Sequence, residues 1–253
     1  MAGVGIAAAP ASASAAAGSD WIVYATSSSL AADTPATLIQ GARGTDGACK
    51  LTGSGELKPG QAAVQTDELA FNPKTCQSKM VIRTLTANEL AAAQAKEAGS
   101  SDSIAPLAAK PVGDKASGGI GAMAYQSGWS RTWYEDPVSL TVNAVKNWTG
   151  WNYNGSCVTS ASGSWEHNWY SPSGWSRISH NFNNVYSCYQ SESSSYVHYR
   201  NGTFCASVDT HTYYDRNWVY GRYNGTLAWQ WNVTKSGGCT NLLSFHQRAA
   251  YGS

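Results

Sequence analysis

The side chains able to do acid–base or nucleophilic chemistry are few in this chain and widely spaced. Residues 125–253 carry six carboxylates: Glu135, Asp136, Glu166, Glu192, Asp209 and Asp215. A glycosidase needs two of these across a sugar, about 5.5 Å or about 6.5–9.5 Å apart. Spacing along the chain singles out no such pair. Glu166 beside His167, flanked by Trp165 and Trp169, is the most suggestive catalytic grouping, with a strand-end or loop carboxylate as the plain alternative. The five histidines, His167, His180, His198, His211 and His246, form no H-E-x-x-H or H-x-H pair, so neither a metal nor a cofactor is expected. There is no G-x-S-x-G turn for a serine nucleophile and no glycine-rich phosphate loop. Asp136-Pro137 reads as turn punctuation.

Binding has more behind it than catalysis. Ten of eleven Trp, thirteen of fourteen Tyr and every His fall after residue 124. Flat rings beside amides and hydroxyls suit sugars, because the ring covers a C–H face while polar neighbours meet the hydroxyls. Trp165, Trp169, Tyr170 and Trp175 are the leading ligand-binding candidates, with Trp148, Trp151 and Tyr153 second. The same rings also fit a role as core filler and cross-strand pairs. Seventeen basic against sixteen acidic residues, only 13% of the chain, exclude nucleic acid as a partner held by charge and fit a neutral polysaccharide.

The elements that position these rings are strands. Leu227, Trp229, Trp231 and Val233 alternate with Ala228, Gln230 and Asn232, and Val138, Leu140 and Val142 alternate with polar residues in the same way. Asn-Gly pairs at 154–155, 201–202 and 224–225 predict hairpin turns. The expected fold class is mainly β: an antiparallel β-sandwich over 125–253, preceded by a small β unit, one short helix and a linker. The small unit spans 18–98, with strands at 21–24, 63–66 and 80–82 and a helix from the capping box Thr86-x-x-Glu89 to Ala98. Residues 99–124 have the composition of a flexible joint; cleavage there, releasing 20–98 as a pro-region, is the alternative. Ser127-Gly128-Trp129-Ser130-Arg131 recurs as Ser173-Gly174-Trp175-Ser176-Arg177, and later matches at Cys157/Cys205 and Asn168-Trp169/Asn217-Trp218 suggest an internal duplication.

Residues 1–17 are small and apolar with A-x-A triplets, as in a signal peptide truncated or starting further upstream. Six cysteines without a C-x-x-C pair fit three disulfides made in an oxidising compartment. Cys49 with Cys76 is the local pair. Cys188 and Cys205 flank a strand near 196–200, and strands two apart lie roughly 9.5 Å from each other, too far for a bridge. Of the two pairings that remain, Cys157–Cys188 with Cys205–Cys239 is favoured over Cys157–Cys205 with Cys188–Cys239. The Ala-rich leader, the stretch from Cys49 to Cys76 and the run YEDP…VNAVKNWTGWNYNGSCV resemble secreted proteins of actinobacteria without an assigned activity. That resemblance implies export and brings no functional residue with it.

The expectation is a secreted, extracellular, monomeric and non-catalytic protein that recognises carbohydrate through exposed Trp and Tyr. A small glycan-directed hydrolase or a membrane-surface-binding toxin is the alternative. No run of 18 apolar residues is present to span a membrane.

Overall fold

Alternate residues are buried along most of the C-terminal strands, as a sheet with one covered face requires. The computed structural model describes residues 20–24, 35–100, 123–206 and 208–252. The expected leader, and all of the expected linker but its ends, lie outside them. The strands in chain order are β1 (Ile22–Val23), β2 (Thr37–Gln40), β3 (Ala42–Arg43), β4 (Cys49–Leu57), β5 (Ala63–Asn72) and β6 (Gln77–Leu85). Helix α1 (Ala87–Ser100) follows, then β7 (Ala124–Glu135), β8 (Thr141–Tyr153), β9 (Val158–Trp169) and β10 (Trp175–Tyr186). The chain ends with β11 (Gln190–Cys205), β12 (Val208–Arg222), β13 (Leu227–Gly237) and β14 (Ser244–Tyr251).

These strands make two antiparallel sheets, in keeping with the expected mainly β, sandwich-like class. One has eight strands, in the order β2-β6-β5-β14-β7-β8-β9 with β1 also on β5; the other has six, β10-β11-β12-β13-β4-β3. The repeated segment falls on two antiparallel meanders, β7-β8-β9 in one sheet and β10-β11-β12 in the other.

Segment 18–98 is not a unit of its own. β4 pairs with β13 in the six-stranded sheet, while β5 lies between β6 and β14 in the eight-stranded one. Sequence reading passed over β4 because its run Leu51-Thr52-Gly53-Ser54-Gly55 has the composition of a loop. Its glycines are where the partner strand needs space. Gly53 faces Trp231 and Gly55 faces Trp229 across the ladder. A Cβ on Gly53 would stand 2.2 Å from Trp231 Cζ2, and one on Gly55 2.4 Å from Trp229 Cζ2. Both indoles are buried between the sheets.

Three further expectations change. Asn154-Gly155 and Asn224-Gly225 are turns, with both glycines at positive φ. Asn201-Gly202, however, lies inside β11, where the fully buried Asn201 side chain accepts bonds from the backbone N–H of Thr203 and Phe204. β8 begins at Thr141, and Val138 is exposed in the turn before it. Helix α1 starts at its capping box, with Thr86 N–H donating to Glu89 at 2.8 Å and Glu89 N–H donating back at 3.3 Å, but runs on to Ser100.

All three disulfides pair as expected: Cys49–Cys76, Cys157–Cys188 and Cys205–Cys239. The first ties β4 of one sheet to the β5–β6 turn of the other, and the second ties the β8–β9 turn to the β10–β11 turn across the sandwich. Closing 27 to 34 residues each, they contribute about 3–4 kcal/mol apiece in the chain-entropy account.

Between the sheets the chain uses hydrogen-bonded polar groups as well as rings. Asn147 donates to the Asn217 carbonyl, Asn217 donates to Thr132, and Tyr214 donates to Asn143. Lys235, 4% exposed, reaches Glu68 Oε2 at 3.4 Å, donates to Tyr24 OH at 2.7 Å and to the Leu243 carbonyl at 2.6 Å, and sits over the rings of Tyr24, Phe71 and Tyr134.

Substituting Gly53 by Ala drives a methyl into the Trp231 ring, which must shift to admit it. The expected loss is about 1–3 kcal/mol, the usual cost of overpacking. Urea denaturation measures it; an unchanged midpoint would show that the β4–β13 contact is loose.

Candidate functional site

The structure separates the residues singled out from sequence. Alternation along β9 puts Trp165, His167 and Trp169 on the side facing β10, whereas Glu166 points the other way and pairs in register with Lys146 of β8. The suggested Glu166–His167 catalytic grouping is therefore split by strand geometry. Trp165 stacks on His167 at 4.4 Å, His167 on Trp169 at 5.9 Å, and Trp165 also on His180 and Phe182 of β10. Arg177 contacts His167 and lies 5.6 Å from the Trp169 ring. Burial, then the charges of Arg177 and His180, push His167 down to about 4, so it is neutral at pH 7. This ladder closes the sandwich where β9 and β10 end the two sheets, and its rings spend their faces on one another.

Tyr170 is half-buried at the turn into β10. Trp175 is 2% exposed, inside the core against Phe204, and cannot reach a ligand. The sequence placed Trp175 beside Trp169, but the register buries it because β10 starts with that residue turned inward. The second group also divides: Trp151 is fully buried and donates to the Arg222 carbonyl, while Trp148 is on the opposite face of β8 beside Trp129.

One triad-like chain of contacts emerges that no motif announced. On the outer face of the eight-stranded sheet, His246 Nε2 is 3.0 Å from Ser244 Oγ, and its Nδ1 is 2.8 Å from Asp67 Oδ1. Trp133 stacks on the imidazole at 5.3 Å and donates to Glu135 at 2.8 Å. Glu135 in turn stands 3.7 Å from Nε2. Burial favours the neutral ring, but the hydrogen bond to Asp67 and the charges of Glu135, Asp67 and Glu68 outweigh it and raise the pKa above 6.5. The Ser244 hydroxyl also donates to the Glu135 carbonyl at 3.4 Å, so Glu135 shares both the serine and Nε2, and neither contact is dedicated to a Ser–His pair.

The outer face of the six-stranded sheet offers a different kind of surface. Register places Asn183, Ser194, Trp218, Gln230 and Ser54 in one row across β10, β11, β12, β13 and β4. The next row reads Val185, Glu192, Tyr220, Ala228 and Glu56. At about 4.8 Å per strand each row spans about 19 Å. Trp218 and Tyr220 are half-buried, and among the described residues neither ring stacks on another. Beside them is a shallow groove of about 370 Å³ lined by Ser54, Glu56, Tyr220, Arg222, Trp229 and Gln230. Arg222 closes one end by its ion pair with Glu56 at 3.3 Å. Burial, then the charge of Glu192, pushes the Tyr220 phenol up to about 12, so it stays a neutral donor and acceptor. Sequence reading missed these residues, although the run Trp218-Val219-Tyr220 carries the signal: Val219 is the buried residue between two outward rings.

The chain matches no family model, no curated protein and no solved structure.

A histidine whose folded pKa is raised stabilises the fold fully below its unfolded pKa and loses that contribution as pH rises through the folded value. His246→Asn is therefore expected to cost more stability at about pH 5.5 than at about pH 9. Urea midpoints at the two pH values check this, and an equal loss at both would mean that the native imidazole is neutral.

Proposed function

We propose that this protein is a secreted, non-catalytic binding module that recognises neutral polysaccharide on the outer face of its six-stranded sheet. One observation carries the reading: Trp218 stands between Ser194 and Gln230 in a polar row five strands wide, its ring stacked on no other among the described residues. A ring flanked by short hydroxyl and amide side chains leaves room for a pyranose above it and donors beside it. The adjoining groove adds Tyr220, Arg222, Glu56 and Ser54 as hydrogen-bonding partners. The near balance of acidic and basic residues favours an uncharged glycan. Export accords with the three disulfides, and among the described residues no helix is long and apolar enough to cross a membrane. The platform replaces the ladder of Trp165 and Trp169 as the leading site, because that ladder's ring faces are already covered.

The test is retention of the full chain on cellulose, chitin, xylan and liposomes, with sugar release assayed in the same tubes. Retention on a glycan without release is the expected result. Trp218→Ala is expected to weaken it about tenfold, roughly 1.4 kcal/mol, with the urea midpoint little changed. Retained affinity in that variant, with loss in Trp169→Ala, would move the site to β9.

A further inference from the structure

A second face of the molecule is built around a charge that the platform does not use. Neighbouring strands β14, β7 and β8 place Arg248, Arg131 and Lys146 side by side in register on the outer face of the eight-stranded sheet. Like charges directly opposite one another on a sheet repel, and the two arginine side chains are only 6% and 7% exposed. Both guanidinium groups lie over the Trp133 ring, at 4.6 and 5.3 Å, and Lys146 stands 4.4 Å from both Trp129 and Trp148. Gln65 accepts from Arg248 Nε, and Glu166 lies beside Lys146.

The anion that enters this row is Glu97 of helix α1. Its Oε1 meets Arg131 at 2.9 Å and also contacts Arg248. The helix is otherwise lightly held. Leu90, Ala93, Gln94 and Glu97 form its one half-buried stripe, and none of its described residues is fully buried. Leu90 covers the cluster containing Trp129. The helix thus supplies an apolar group on the cluster around Trp129 and a carboxylate on two guanidiniums.

We propose that the Arg131–Arg248–Lys146 row is a binding site for a carboxylated saccharide, a uronic acid unit, and that Glu97 is an internal substitute for its carboxylate. The guanidinium pair suits the planar, two-oxygen carboxylate. Trp148, half-buried with Lys146 over one of its faces, is the ring left to meet the adjoining sugar once Leu90 withdraws. This site is independent of the neutral-glycan platform on the other sheet. Ligand entry requires α1 to leave, so apparent affinity in the native chain is lowered by the fraction of time the row is open.

The probe is polygalacturonate, with its fully methyl-esterified form and poly-L-glutamate as comparators, titrated against the full chain. Glu97→Gln keeps size and removes the charge. It is expected to bind polygalacturonate about tenfold or more tighter than wild type, and not the ester. Adding Arg131→Gln removes the gain, whereas Trp218→Ala leaves it intact. In the wild-type chain, saturating polygalacturonate is expected to speed amide hydrogen exchange across α1 and not across β7 or β14. No gain in Glu97→Gln, equal binding of the ester, or slower exchange in α1 overturns the site. An equal gain toward poly-L-glutamate overturns its assignment to a saccharide.

Discussion

Two indoles packed over two glycines join the N-terminal third of this chain to its C-terminal half. Trp231 and Trp229 of β13 occupy the space that Gly53 and Gly55 of β4 leave empty, where a Cβ would stand 2.2 and 2.4 Å from the rings. Without β4, β13 would be the unpaired edge strand of its sheet. With it, Leu51 and Leu57 join the core on one face of β4 while Ser54 and Glu56 extend the polar rows on the other. The Cys49–Cys76 bridge then anchors the start of the same strand to the opposite sheet. The binding platform, the core and the link between the two parts of the chain thus share one strand pairing.

The interior explains an unusual composition. Ser, Thr, Asn and Gln are buried between the sheets in hydrogen-bonded sets such as Thr149 with Ser191 and Asn217 with both Asn147 and Thr132. Such contacts contribute about 1 kcal/mol each but fix direction in a way that apolar contacts do not. The two outer faces then diverge in character. One sheet sets Trp218 between Ser194 and Gln230, with the Arg222–Glu56 pair and Glu192 beyond them; the other carries a dense ionic network from Arg83 through Asp67, His246 and Gln65 to Arg248 and Glu97.

The strand class was legible because alternation survives in the C-terminal half: Leu227 to Val233 has the pattern that the structure buries. Strand spacing excluded Cys188–Cys205 and left two pairings of the last four cysteines, of which the favoured one is formed. What stayed hidden depends on partners distant in sequence. Gly53 and Gly55 look like loop residues until Trp229 and Trp231 are placed above them. Asn201-Gly202 has the dipeptide of a turn, but its amide is absorbed into β11. Trp175 cannot be distinguished from Trp169 by composition, since one residue of phase decides core or surface. Trp218 carried its signal in the buried Val219 that follows it, and only the cross-strand register shows that small polar residues flank it.

The most direct test of the platform is a titration of uniformly ¹⁵N-labelled protein with soluble hexasaccharides of the glycan that retains it, followed by amide shift changes. Perturbations concentrated at residues 52–56, 192–196, 218–222 and 230–232 are the predicted result. Those residues come together only if β4 lies against β13. Shifts confined to 165–170 and 180–182, or none at saturating sugar, would contradict the account.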